Sequence, residues 1–320
     1  MGDIKMDNLY YSLNATMPIF LVMILGFVFR KIGLLSENLA SGINKFVFKV
    51  ALPTNLFIQL YDVDIFTTIW DTKYVIFCFV ATLISVLISW GIAHFLRDRS
   101  VRGEVVQASY RSSASLLGMA YIENIYGSAS VGSLMMIGCV PLYNVSAVII
   151  LSLMNPNNTG IDGNKIKSSL IGIIKNPIIW GIILGFAWSL TGILFPTIAE
   201  TTVSYIGRTA SPLGLLAMGA MIDFGSIIKQ KGPVILSVFM KLVLFVVIFA
   251  PVAIWLGFEG EKLIALIIMF GSASTVAGFI MAKNMGHEGN VSAGSAALST
   301  LLSSFTMTLW IWLLRSGGYI

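Results

Sequence analysis

The chain repeats itself at an offset of 159 residues, and no gap is needed to see it. Pro18-Ile19 returns as Pro177-Ile178, and Ile24-Leu25-Gly26-Phe27 returns as Ile183-Leu184-Gly185-Phe186. Gly33 falls on Gly192, Ala51 on Ala210, Pro53 on Pro212, Leu56 on Leu215 and Gly127 on Gly286. Prolines and glycines do not coincide merely because both halves are greasy, since each answers to a demand of the backbone. The repeat divides the chain into residues 1–159 and 160–320, two copies of one architecture. Repeated halves in an apolar chain point to secondary transporters, which place their substrate site where the repeats meet.

The solvent follows from composition. Hydrophobic residues make up 57% and charged ones 11%, against about 25% charged in a soluble domain. Apolar stretches at 8–29, 74–93, 127–156, 176–199, 263–282 and 289–314 each reach the roughly 20 residues that cross a bilayer as a helix. The expected class is an all-α integral membrane protein, with lipid as its surroundings. The first stretch reads as a retained span, because no small-residue cleavage site precedes its flank. The net charge of +5 does not indicate nucleic acid, because Lys and Arg are spread through short loops, where they set orientation. Cys78 and Cys139 sit in apolar stretches and read as packing residues. No CxxC, HExxH, Walker loop or GxSxG occurs, and His94 and His287 have no partner at metal-ligand spacing. No metal, cofactor or catalytic cluster is expected, so an enzyme is disfavoured.

Ten spans are predicted, near 8–30, 37–61, 73–96, 103–125, 129–153, 167–194, 197–222, 232–257, 261–284 and 289–314. The long polar connection at 155–165 reads as a loop by its Asn, Gly and Pro content. It divides the chain where the repeat does, giving five spans on each side. Five is odd, so the second half enters the membrane from the opposite side and the repeats are inverted. Arg30, Lys31, Arg97, Arg99, Arg102, Lys165, Lys167, Lys229, Lys231 and Lys283 collect on one side. The other side keeps few cations and most of the acids. The positive-inside rule makes the basic side cytoplasmic and both termini extracytoplasmic, in a multi-pass protein of the cell membrane.

Polar groups inside a membrane are costly, so function is sought in the weak spans, the second, fourth and seventh. Spans two and seven each carry a mid-span Ala-x-Pro, Ala51-Leu52-Pro53 and Ala210-Ser211-Pro212. Each also carries a cation four residues before the proline, Lys49 and Arg208, about 10–12 residues into its span and so near mid-membrane. Two readings stay open: charges placed at depth for function, or simple kinks with two snorkelling side chains. Span four reads Gln107-Ala108-Ser109-Tyr110-Arg111-Ser112-Ser113, with polarity on every face and Gly118 at its middle. That pattern suits a broken helix lining a cavity. Its counterpart, span nine, carries Gly271-Ser272-Ala273-Ser274-Thr275-Val276-Ala277-Gly278. Small residues there serve either a broken helix or close helix packing.

Gln107-Ala108-Ser109-Tyr110-Arg111-Ser112 resembles the QAS-[FY]-R-[GS] segment of the auxin efflux carrier family, which holds bacterial malate and malonate permeases and the plant PIN proteins. Ala51-Leu52-Pro53 with Phe57 resembles its second-span segment, and Pro212-Leu213-Gly214 with Gly219 its seventh. Pro141-Leu142-Tyr143-Asn144-Val145-Ser146-Ala147-Val148 resembles its PxYNxxAV stretch. The pattern 282–286 and 298–303 is similar to its C-terminal region. The resemblance covers nearly the whole chain in order. It implies ten helices as two inverted five-helix repeats, with broken helices four and nine crossing at the centre. It also implies a scaffold of helices 1, 2, 6 and 7, a transport domain of helices 3–5 and 8–10, and elevator-type movement of organic anions. The departures are specific: Ser113 and Gly118-Met119-Ala120 stand where the family has Asn and Gly-x-Pro, and Ala273 and Ala277 where it has Pro and Asn. The usual carboxylate contact is therefore altered.

The expected substrate pocket lies at the crossing. Gln107, Arg111, Ser112, Ser113 and Gly118 line one side and Ser272, Ser274, Thr275 and Gly278 the other, with Tyr143, Asn144, Pro53 and Asn55 added. The expected partner is a small organic anion, auxin-like or malate-like, besides membrane lipid and a second copy through the scaffold helices. A transporter-like receptor or non-conducting subunit is the alternative, since lost crossover residues are how such a change would look. No Asp, Glu or His sits firmly at mid-span, so uniport, exchange or potential-driven movement is favoured over tight ion coupling. A negative-inside potential favours anion exit by about 2.3 kcal/mol per charge per 100 mV.

Overall fold

Among the residues described in a computed structural model of the protein, every regular element is a helix. Those residues are 21–61, 71–114, 130–156, 174–222 and 224–320, together with Pro18, Gly118, Tyr121, Ile122 and Tyr126. In the first half, α1 covers 21–31. Helix α2 runs as Glu37–Phe46, a π-helical turn Val47–Ala51 and Leu52–Tyr61. Helices α3 (Thr72–His94), α4 (Arg102–Tyr110) and α5 (Ser130–Leu153) follow. In the second half, α6 is Pro177–Thr191, and α7 runs as Thr197–Arg208 and Ala210–Met221. After a short helix Phe224–Lys229 come α8 (Lys231–Trp255), α9a (Gly260–Gly271), α9b (Val276–Asn284) and α10 (Asn290–Ser316).

Among the described residues, five segments are long and apolar enough to cross a membrane: Thr72–His94, Leu134–Leu153, Lys231–Trp255, Gly260–Asn284 and Asn290–Ser316. Helix α6 is apolar but shorter. The three weak spans, α2, α4 and α7, do not qualify: α2 carries Glu37, Lys45 and Lys49, α4 ends after 9 residues, and α7 is divided at Thr209 into two pieces of 12 residues. Most of the first span, the acidic residues Asp62, Glu123 and Asp223, and the polar loop from 157 onward lie outside the described residues.

Local chemistry sets the helix ends. Asn176 Oδ1 accepts the Ile178 amide at 2.9 Å, and Pro177 takes the first position of α6, where its missing donor costs nothing. Asp71 caps α3 by accepting the Tyr74 amide at 3.0 Å. Gly192 closes α6 in the left-handed conformation at φ +64°, and its repeat mate Gly33 follows α1 at φ +79°. The two prolines act alike as well. A proline ring removes a donor and crowds the carbonyl four residues back. In α2 the strain is taken up by the π turn that ends just before Leu52-Pro53; in α7 the helix is interrupted at Thr209, three residues before Pro212.

The contacts between α1, α2, α6 and α7 exchange across the repeat. A Cβ on Gly26 would fall on the Leu216 carbonyl, and one on Gly185 would crowd the Phe57 carbonyl. Gly26 and Gly185 are 159 apart, and so are Phe57 and Leu216. Thus α1 packs on α7 as α6 packs on α2, with glycine in both cases allowing backbone to approach backbone. Helix α4 is the opposite kind of element. Every residue from Gly103 to Tyr110 is buried, including Glu104, Gln107 and Ser109, so its polarity on all faces meets protein on all sides. At the extramembrane end, Lys262 pairs with Asp71 and so ties α9a to α3. Burial works to raise the Asp71 carboxyl, but the hydrogen bonds from Lys262 and the Tyr74 amide outweigh it and hold it below its usual range.

Candidate functional site at the crossing of two helix breaks

Helix α4 stops at Tyr110, and the chain leaves it extended at Arg111, with φ −76° and ψ 133°. Helix α9a stops at Gly271; Ser272 and Thr275 are extended before α9b begins. The two breaks meet, because the Ser113 amide donates to the Ala273 carbonyl at 2.9 Å. Backbone groups freed by each break therefore satisfy one another, which is what non-helical backbone inside a membrane requires. The break in the fourth span comes earlier than Gly118, the position the sequence suggests. The Gly118 amide instead donates to the Ser113 carbonyl at 3.1 Å, and an added Cβ there would meet Ile268 and Met135.

A cavity of about 80 Å³ opens beside this crossing. Of the predicted site residues, Arg111, Ser112, Ser113, Tyr143, Asn144, Ser274, Thr275 and Asn55 line it. The others are elsewhere. Gln107 donates from Nε2 to the Gly278 carbonyl at 2.9 Å and to Ser292 Oγ at 3.2 Å, so it joins α4 to α9b and α10. Gly278 faces that amide. Ser272 is fully buried, with its hydroxyl unbonded. Pro53 lies under Gly181 of α6, whose missing Cβ makes room for it. Lys49 and Arg208 are both exposed on the outside of their helices, away from the cavity.

Arg111 dominates the electrostatics. It is 3% exposed, and one Nη donates to Asn144 Oδ1 at 2.9 Å while the other contacts Met281 Sδ. Its Nε has no acceptor among the described residues. Among the described residues no carboxylate lies within ion-pair distance of it; the pairs found there are Arg30 with Glu37 and Asp71 with Lys262. A buried guanidinium without a counter-charge is an unsatisfied site for an anion. Asn144 is fixed to offer its oxygen, because its amide nitrogen donates to the Val140 carbonyl at 2.9 Å. Across the cavity, Thr275 caps α9b by accepting the Ala277 amide at 3.3 Å, and Val276 and Ala277 follow in the wall. The positive end of that half-helix thus faces the same space. Ser112 Oγ donates to Tyr143 Oη at 3.3 Å, which donates on to the Met269 carbonyl at 3.3 Å.

Several residues were not anticipated. Gln59 lines the cavity one turn beyond Asn55, and i,i+4 spacing on α2 is the signal that could have found it. Glu104 is buried, and its two oxygens accept the Gly289 and Ser292 amides at 2.9 Å each, capping the start of α10. Lys241 is buried in α8, where the only sequence signal is one cation in a long uncharged run.

Residues 11–311 match the membrane transport protein family. The chain is 25% identical over 312 residues to an uncharacterized transporter, YfdV, of Escherichia coli K12, covering 96% of this chain and 99% of that protein. It is 23% identical over 306 residues to an uncharacterized transporter of Methanothermobacter thermautotrophicus, covering 93% and 97%. The resemblance carried by the fourth-span and second-span motifs is thereby borne out along almost the whole chain.

Proposed function

Because the chain belongs to the membrane transport protein family, we propose that it is a secondary transporter of small organic anions working by elevator-type alternating access. The observation that carries this is Arg111, a buried cation without a carboxylate partner among the described residues, in the wall of a cavity where two helix breaks cross. Bringing a carboxylate into low dielectric is costly, and an uncompensated guanidinium beside a helix N-terminus offsets that cost. The family's asparagines are absent, and their task falls to Asn144, the serines at both breaks and free backbone groups.

The same reading takes ten helices as two inverted repeats, residues 1–159 and 160–320, with both termini outside the cell membrane. The exchanged contacts of Gly26 with Leu216 and Gly185 with Phe57 support a two-fold relation between the halves. Helices α1, α2, α6 and α7 form the scaffold, through which two copies would associate, and the crossing moves against it. The cavity suits that division, having Asn55 and Ser211 of the scaffold on one side and the two breaks on the other.

Counterflow in liposomes tests the proposal. Vesicles containing the purified protein and preloaded with malate or lactate should accumulate the labelled anion, without a sodium or pH gradient. Binding without flux would replace the carrier by a receptor, and strict dependence on either gradient would replace uncoupled exchange by ion coupling.

A further inference from the structure

Lys241 is a second buried cation, and the anion reading has so far left it unused. It stands in the π-helical turn Met240–Leu244 of α8 and is 0% exposed. Among the described residues no carboxylate pairs with it. Its Nζ donates to the Met269 carbonyl at 3.0 Å. That oxygen belongs to the last turn of α9a, which ends at Gly271. The final four carbonyls of a helix lack partners within it and carry about half a negative charge. The break that follows leads directly to Ser274 and Thr275 in the cavity wall. Without an answering cation, α9a would therefore turn a negative end towards an incoming carboxylate. The Tyr143 hydroxyl, also in the wall, reaches the same Met269 oxygen, so the ammonium and the cavity share one acceptor.

We propose that Lys241 is a specificity-determining residue for the transported anion. By offsetting the negative end of α9a it leaves the positive charge of Arg111 undiminished at the site, which favours a dianion over a monoanion. The inference rests on the anion-carrier reading. Charges held in a low-dielectric interior act over longer distances than in water, and their effect is proportional to the charge of the substrate. A packing role has no such proportionality.

Lys241→Met separates the two. In counterflow, the malate KM should rise about tenfold and the lactate KM only about threefold, as the two-to-one ratio of substrate charges requires. The melting temperature should not fall, since replacing a buried unpaired charge by an apolar chain of similar shape is neutral or stabilising. Lys241→Arg should keep the wild-type ratio of the two KM values, and Lys241→Gln provides the same measurement as Met in a polar side chain. Equal KM changes for both anions, or none, overturn the role of Lys241 while leaving the carrier intact. A wild-type protein that exchanges neither anion overturns the carrier reading and this inference with it.

Discussion

The two halves build their crossings from the same backbone plan and charge them differently. In the first half the cation is Arg111, on the broken segment itself, at the end of α4. In the second half it is Lys241, sent in from the neighbouring helix to the end of α9a. Their partners by the 159-residue offset are Phe270 and Thr82, neither of them charged. The Lys241 ammonium bonds the last turn of α9a, whereas the Arg111 guanidinium turns away from α4 to Asn144 and Met281. Backbone demands are shared by both copies of the 159-residue repeat, because the same prolines and glycines recur in each. Side-chain charge has no such demand, so the two copies differ in it. Helices α1, α2, α6 and α7 show the other extreme, where Gly26 and Gly185 approach the equivalent carbonyls of Leu216 and Phe57.

The largest effect that can break this comparison is at Arg111. Arg111→Met should lower anion affinity by about 10- to 150-fold, the 1.5–3 kcal/mol of a hydrogen bond to a charged group, measured as Kd by calorimetry and as counterflow rate. Arg111→Lys should recover only part, since an ammonium lacks the planar fork. Retained affinity in Arg111→Met would move the site away from the crossing. A smaller effect tests the matched packing of α1 and α6. Gly26→Val and Gly185→Val should each destabilise by about 1–3 kcal/mol through overpacking, read as a loss in melting temperature for both. A loss in one and not the other would weaken the two-fold relation. The smallest effect is expected at Lys49 and Arg208. Both are exposed, so Lys49→Gln and Arg208→Gln should change stability by less than about 0.5 kcal/mol and leave the malate KM within about twofold. A large change in either KM would restore these cations to a role in the site.

Much of the architecture was legible because its causes are local. Pro53 and Pro212 announce interruptions wherever they stand, and the π turn in α2 and the interruption of α7 follow from them. The polar run from Gln107 to Ser113 could belong only to a helix shielded from lipid, and α4 is buried throughout. Within that run, however, the residues cannot be ranked by spacing alone. Gln107 and Arg111 are one turn apart and both polar. Packing spends Gln107 on α9b and α10 and leaves Arg111 in the cavity. Lys49 and Lys241 teach the converse. Each is a lysine inside a predicted span; one faces outward and the other is sealed in, and only the neighbouring helices distinguish them.

By itself the sequence determined the solvent, the repeat and the family, because hydropathy, proline and glycine act on the backbone within a few residues of where they stand. Only the tertiary structure decided which polar groups are unsatisfied. That Arg111 has no carboxylate beside it among the described residues, that Lys241 ends on Met269, and that Glu104 is used up in capping α10 are facts about elements far apart in the chain. A charge in a membrane protein takes its meaning from what surrounds it in low dielectric, and those surroundings are assembled from both halves at once.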